Sequence, residues 1–221
     1  MTAHRHYGRD VSDVVFPPGF FDRMDPTPDL DFYRPPRLVT HIDDRAIVAV
    51  GSTYAELSVD GEVLDLMTSW VSHFRSAPRR LVGLGMNAAE LQANPMLAEY
   101  VVHDLNADPS LPFDDGRFDA VTCCVSIDYL VRPVEVFHEV RRVLIDDGVF
   151  VCTFSNRCFP TKAIHGWLAT DDAGHCRIVA EYFTRAGGWT EPTAALCTPP
   201  HASGDPLYGV WARRVPDGAG G

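Results

Sequence analysis

From Asp44 onward, apolar residues recur at spacings of three and four. Ile47, Val50, Tyr54 and Leu57 fall on one stripe, which predicts a helix with Asp43 or Asp44 capping its start. Gly61 then leads into a short apolar run, Val63 to Leu66, with strand character. "RRLVGLG" predicts a second strand, "NAAELQANPML" a helix interrupted near Pro95, and "YVVHDL" a third strand. "FDAVTCCVS" is continuously apolar after Asp119, as expected of a strand buried on both faces of a parallel sheet. "RPVEVFHEVRRVLIDDG" is the clearest helix. Pro133 suits its first turn, Val136, Phe137, Val140, Val143 and Leu144 form its apolar face, and Gly148 is expected to end it. "GVFVCTFS" follows as a strand. "HCRIVAEYFTRAGG" repeats the helical stripe through Ile178, Val179, Tyr182 and Phe183, and "LYGVWARR" closes the pattern as a strand. Strands alternating with helices predict an α/β fold on a parallel sheet with right-handed crossovers.

The first 40 residues break this rhythm. Pro17, Pro18, Pro26, Pro28, Pro35 and Pro36 lie among aromatics without periodicity, which predicts an irregular arm over residues 1–43, a folded domain over 44–215 and a flexible tail over 216–221. At 221 residues and 46% hydrophobic content, the chain is long enough for one sizeable core. Its net charge of -11 disfavours a nucleic-acid backbone or an anionic membrane as partner and favours a small molecule or a cationic partner. The polar start and the shortness of the Ala46–Val50 run point to a soluble, cytoplasmic protein. Six cysteines without a CxxC pair are expected to be free thiols, with Cys123 and Cys124 in the core. His165, His175, Cys158 and Cys176 match no zinc spacing, so no metal site is assigned.

The stretch "DLNADPSLPFDDGRFDAVTCCVSIDYLVRPVEVFHEVRRVLIDDGVFVCTFSN" resembles the class I S-adenosylmethionine-dependent methyltransferases that act on small molecules, of the type 11 kind, from about Gly61 to Ser155. "FYRPPRLVTHIDD", "DLMTSWVSHF", "GLGMNAAEL" and "SNRCFPTKAIHGW" resemble a divergent branch of that family. The resemblance implies a Rossmann-like seven-stranded sheet, mostly parallel with an antiparallel last strand and helices on both faces. S-adenosyl-L-methionine would lie across the C-terminal strand ends and leave as S-adenosyl-L-homocysteine.

Most relatives have a glycine-rich first turn, because the methionine part of the cofactor presses on bare backbone. Here Met67, Ser69 and Val71 stand at the aligned positions. Asp65 keeps the place of a carboxylate that accepts from the cofactor's ammonium or its ordered water. Thr68 and Ser69 supply hydroxyl donors to a carboxylate, and the helix expected after them supplies free N–H groups. Trp70 either faces the sulfonium or is buried packing alone. At the second turn Gly85 replaces the acid that grips the ribose in relatives. Asn87 takes up the ribose contact or only caps the following helix, and Met86 lies on the adenine face or in the core. Asp104 and Leu105 match the residues that read adenine, although an acid there also suits a turn cap. Ser126 matches the position beneath the methionine moiety.

Methyl transfer from a sulfonium is an in-line displacement that relies on alignment, with a base needed only for a protonated acceptor. Asp128 and Tyr129 follow the fourth strand, Tyr33, Arg34, Arg37, His41 and Asp43 come from the arm, and Asn156, Arg157 and His165 follow the fifth strand. Asp128, His41 and Tyr33 are the assigned catalytic candidates. The expectation is therefore methyl transfer to a small-molecule acceptor by a monomer or homodimer. The alternatives are a catalytically silent binding or partner protein of the same fold, with Phe16, Phe20 and Phe21 as interface, and a non-methylating enzyme using the same cleft.

Overall fold

A computed structural model describes residues 16–200, 203–216 and 218 of the chain. Asp43 caps the helix predicted from the 44–57 stripe, its carboxylate accepting from the Ala46 amide at 2.9 Å. Six helices are described: α1 (Asp29–Tyr33), α2 (Asp44–Glu56), α3 (Ala88–Ala93), α4 (Pro133–Val143), α5 (His165–Leu168) and α6 (Asp172–Ala186). Seven strands, β1 (Glu62–Leu66), β2 (Arg80–Gly85), β3 (Glu99–Val102), β4 (Phe118–Cys124), β5 (Leu144–Ser155), β6 (Thr193–Leu196) and β7 (Leu207–Arg213), form one sheet in the order β3-β2-β1-β4-β5-β7-β6. The pairs from β3 through β5 are parallel, and β7 runs antiparallel to both β5 and β6. The order reverses between β1 and β4, where an open α/β sheet leaves a crevice at its carboxyl ends.

Both sheet faces are covered. On one, Val136, Phe137 and Val140 of α4 meet Ile178, Tyr182 and Phe183 of α6 over Phe150. On the other, Ala46, Ala49, Val50 and Tyr54 of α2 pack on Val63, Leu81, Val149 and Val151. Central strands are therefore buried on both sides, which is why they appear in the sequence as continuous apolar runs.

Three local expectations are corrected. No helix follows β1: residues 67–79 run irregularly to β2. Thr68 and Ser72 turn their hydroxyls onto Asp65 at 2.7 Å each, a local bonding pattern that competes with a helical turn. Helix α4 stops at Val143 rather than near Gly148, because Leu144 already pairs with Phe118 of β4. Strand β6, "TAAL", is the member that the hydrophobic pattern does not reveal. Cys123 is buried as expected, whereas Cys124 is half-buried.

The described part of the arm, residues 16–43, contains α1 and is stitched to the segment after β5. Arg23 bridges Ile164, the Asp25 amide donates to Thr161, and the His165 and Gly166 amides donate to Asp22 and Phe20. Phe16, Phe20 and Phe21 stack against one another, and Phe16 and Phe21 lie on Tyr182 of α6. Lys162, fully buried, donates to the Thr27 carbonyl at 2.8 Å and pairs with Asp25 and Asp29 at 3.1 and 3.2 Å. Burial opposes ionisation of Asp29, yet hydrogen bonds from Arg23 and Asn106 hold its carboxyl below the ordinary value.

Candidate active site

A cleft of about 330 Å³ opens where the strand order reverses. That is at the lower end of the sizes that hold small molecules. Its floor comes from the carboxyl ends of β1, β2 and β4 and the turn after β3, and its roof from the arm and the segment after β5.

The first turn begins at Asp65, which is 4% exposed. Its carboxylate accepts from Thr68, Ser72 and Thr122 hydroxyls, each at 2.7 Å. Burial pushes this carboxyl above its ordinary value, against the pull of the three hydroxyls. Asp65 lines the cleft floor, but its oxygens are already engaged by the protein. Met67, at an aligned glycine position, has a φ of +52°, so the turn follows a left-handed path without glycine. Val125, at the end of β4, has a φ of +46°. Positive φ is costly for a β-branched residue, of order 1–3 kcal/mol. Both strained residues line the cleft.

The glycines missing from the first turn have counterparts in β2. A Cβ on Gly85 would lie 2.3 Å from the Thr68 carbonyl oxygen, and one on Gly83 would lie 2.9 Å from the Thr68 methyl. The Thr68 amide also donates to Leu84 at 3.0 Å. The turn thus leans on β2, in the space an acid at position 85 would need. Ser69 donates to Glu90 at 2.7 Å, and the Trp70 indole donates to the Val39 carbonyl at 3.0 Å, joining the turn to the arm. Trp70 is half-buried and lines the cleft.

Asn87 caps α3, its Oδ1 accepting from Ala89 and Glu90, while its Nδ2 donates to the carbonyls of Tyr33 and Arg34. Both amide hydrogens are therefore spent on the arm. Met86 and the buried Leu105 line the cleft beside Asp104, whose Oδ1 accepts from the Asn106 and Ala107 amides as in an Asx turn. Ser126 donates to the Cys124 carbonyl at 3.0 Å.

Of the catalytic candidates, Tyr33 and His41 line the cleft and Asp128 does not. Residues Ile127–Tyr129 form a tight 3-10 turn, in which neighbouring side chains diverge, so that Tyr129 faces the cleft. Asp128 is only 2% exposed, and its Oδ2 is buried without a hydrogen-bond partner. Burial pushes its carboxyl up to about 8. Burial also raises the Tyr33 phenol, so it stays protonated, and lowers the imidazoles of His41 and His73, so they are neutral near pH 7.

Asn156 is exposed, His165 lies at the start of α5 outside the cleft, and Asp43 is spent on capping α2. Arg34 pairs with the exposed Asp31, and Arg157 lines the cleft but pairs with Asp205. Residues not singled out from sequence also line it, notably His73, Glu90 and Phe159. His73 ends the quoted "DLMTSWVSH" motif, which was the signal available for it. Among the described residues there is no group of His, Cys, Asp and Glu able to hold a metal and no helix long and apolar enough to cross a membrane.

Residues 57–152 match the family described as "Methyltransferase domain". No functionally curated protein matches the sequence significantly. Among solved structures, an S-adenosylmethionine-dependent methyltransferase from Clostridium acetobutylicum aligns with a TM-score of 0.56 at 10% identity, over 81% of this chain and 94% of that one. One from Mesorhizobium loti aligns at 0.52 and 15% identity, over 75% and 98% of the two chains. The cyclase SpnF aligns at 0.55 and 14% identity, over 85% and 91%. Residues 57–152 are thus similar to the methyltransferase-domain family, and the seven-stranded sheet built around them has the fold of the solved class I S-adenosylmethionine-dependent methyltransferases.

Proposed function

We propose that the protein transfers a methyl group from S-adenosyl-L-methionine to a small-molecule acceptor in this cleft. The observation that carries the reading is the pair of strained, non-glycine residues, Met67 and Val125, at the carboxyl ends of β1 and β4, both lining a cleft roofed by the arm. Strain held at adjoining strand ends is a mark of a functional site.

The residues present fit the cofactor through a rebuilt pocket. Met86, Asp104 and Leu105 would hold the adenosine part, with the second carboxylate oxygen of Asp104 as acceptor. Trp70, Ser69 and the hydroxyl-wrapped Asp65 would hold the methionine part, and Ser126 would lie beneath it. Asn87 supports this side by fixing the arm to α3. When bound, the cofactor supplies an electrophilic methyl group. His41, neutral near pH 7 and stacked edge-on against Phe159 at 5.3 Å, serves as the base for an acceptor that carries a proton. Tyr33, held protonated, serves as a hydrogen-bond donor, and Asp128 supports Tyr129 from below as a neutral acid.

The full engagement of Asp65 favours one second reading, a protein that keeps the fold and cleft without methylating its ligand. Calorimetric titration with S-adenosylmethionine and S-adenosylhomocysteine separates the two. Micromolar binding that Asp104→Ala weakens at least tenfold supports the methyltransferase reading. Absence of binding at millimolar ligand would sink it.

A further inference from the structure

Two arginines line the cleft, Arg37 from the arm and Arg157 after β5, and the cleft contains no lysine. Arg157 is committed to Asp205 at 2.8 Å. Arg37 is not committed to any acid: among the described residues no carboxylate oxygen lies within 4.0 Å of its guanidinium. Its Nη2 donates to the Phe32 carbonyl at 2.9 Å. Its Nη1 is buried and has no hydrogen-bond partner. The charge is held instead by aromatic faces, with Phe32, Phe159 and Tyr33 at 4.5, 5.5 and 5.7 Å from the guanidinium carbon. Arginine is the side chain suited to such stacking, since it is weakly hydrated and planar. The arm is also pinned at this point, because the Arg37 amide donates to Glu90 at 2.6 Å.

A buried donor on a permanent cation, left unpaired, costs the full desolvation of that group unless a ligand completes it. The neighbouring Glu90 is already engaged by the Arg37 amide and by Ser69. We infer that Arg37 is the cleft's anion anchor and that it binds a carboxylate on the ligand, taken edge-on by the guanidinium against the aromatic wall. This deepens the methyltransferase reading and rests on it for the identity of the two possible carboxylates. Because the Arg37 guanidinium lies in the roof of the cleft against Phe32 and Phe159, while the methionine part is assigned to the Asp65 turn on the floor, the acceptor's carboxylate is the one assigned.

Two ligand pairs, each differing only in the anion, test it by calorimetry. The first is S-adenosylhomocysteine and its decarboxylated analogue, an aminopropyl thioether of adenosine. The second is 4-hydroxybenzoate and 4-hydroxybenzamide, titrated with and without saturating S-adenosylhomocysteine. Wild type should prefer 4-hydroxybenzoate over the amide by roughly tenfold to a hundredfold, the range of a charge-assisted hydrogen bond. Arg37→Met should erase that preference and leave binding of the amide unchanged, which also shows that the variant is folded. Arg37→Lys should recover part of it, and decides the matter if Arg37→Met does not fold. If Arg37→Met instead removes the preference within the adenosine pair alone, the anchored carboxylate is the cofactor's. If wild type binds neither adenosine ligand yet prefers the benzoate through Arg37, the methyltransferase reading fails and the anion anchor stands. A wild-type protein with no preference in either pair, or one that Arg37→Met leaves intact, overturns the inference.

Discussion

Replacing Asp128 by asparagine should make the protein more stable than wild type as the pH rises. Asp128 is 2% exposed with an unpartnered oxygen, and burial lifts its carboxyl from the ordinary 3.8 to about 8. A raised carboxyl contributes stability that is complete below the unfolded value and is lost as pH rises through the folded one. Each pH unit between about 4 and 8 therefore costs wild type up to about 1.4 kcal/mol, or roughly 3–6 kcal/mol over the window after allowing for relaxation of the site. The side-chain amide of the Asp128→Asn variant does not titrate, and it presents nearly the shape of the protonated acid. Urea unfolding of both proteins at pH 5, 6, 7 and 8 isolates the effect, because other titrating groups cancel in the difference. The difference between the two should be smallest at pH 5 and should widen steadily in favour of the variant up to pH 8. Curves that stay parallel within about 0.5 kcal/mol, or that diverge with wild type gaining, would refute the reasoning and return Asp128 to the ionised residues of the site.

Other substitutions probe the packing that holds the cleft. Asp65→Ala strands the buried hydroxyls of Ser72 and Thr122 and the half-buried one of Thr68, and should cost about 3 kcal/mol in urea unfolding; a loss under about 1 kcal/mol would mean that the hydroxyls find new partners without strain. Lys162→Met leaves Asp25 and Asp29 without their buried ammonium and should destabilise by about 3–5 kcal/mol, with faster proteolytic cutting in the arm; an unchanged cutting rate would show that the lysine does not hold the arm down. Gly85→Ala drives a Cβ to 2.3 Å from the Thr68 carbonyl, so the first turn must shift. Weaker binding of S-adenosylhomocysteine, by tenfold or more, is expected from that shift, and equal binding would show that the turn does not touch the ligand.

The hydrophobic pattern alone determined most of the architecture. Continuous runs such as "FDAVTCCVS" and stripes such as Val136, Phe137 and Val140 follow from burial on two faces or one, and burial is written locally in the order of residues. Asp43 and Pro133 marked helix starts for equally local reasons, a side-chain acceptor and a preset φ. Strand β6 escaped because "TAAL" draws its place from pairing with β7 and little from its own side chains.

The site was legible in its location but not in its bonding. Sequence placed Asp65, Thr68, Ser69 and Trp70 at one turn, yet whether a hydroxyl faces a ligand or a neighbouring acid depends on partners far along the chain. Thr122 donates to Asp65 across 57 positions, Glu90 accepts a hydrogen bond from Ser69 across 21, and the Val39 carbonyl accepts one from the Trp70 indole across 31. Asp128 and Tyr129 are adjacent in sequence, and only the 3-10 turn sends one to the floor of the core and the other to the cleft. Composition and periodicity thus fixed which surfaces would be buried, because the hydrophobic effect is non-directional and additive along the chain. Hydrogen bonds are directional and each donor is spent once, so the tertiary structure alone decided which polar groups remain for a ligand, Arg37 first among them.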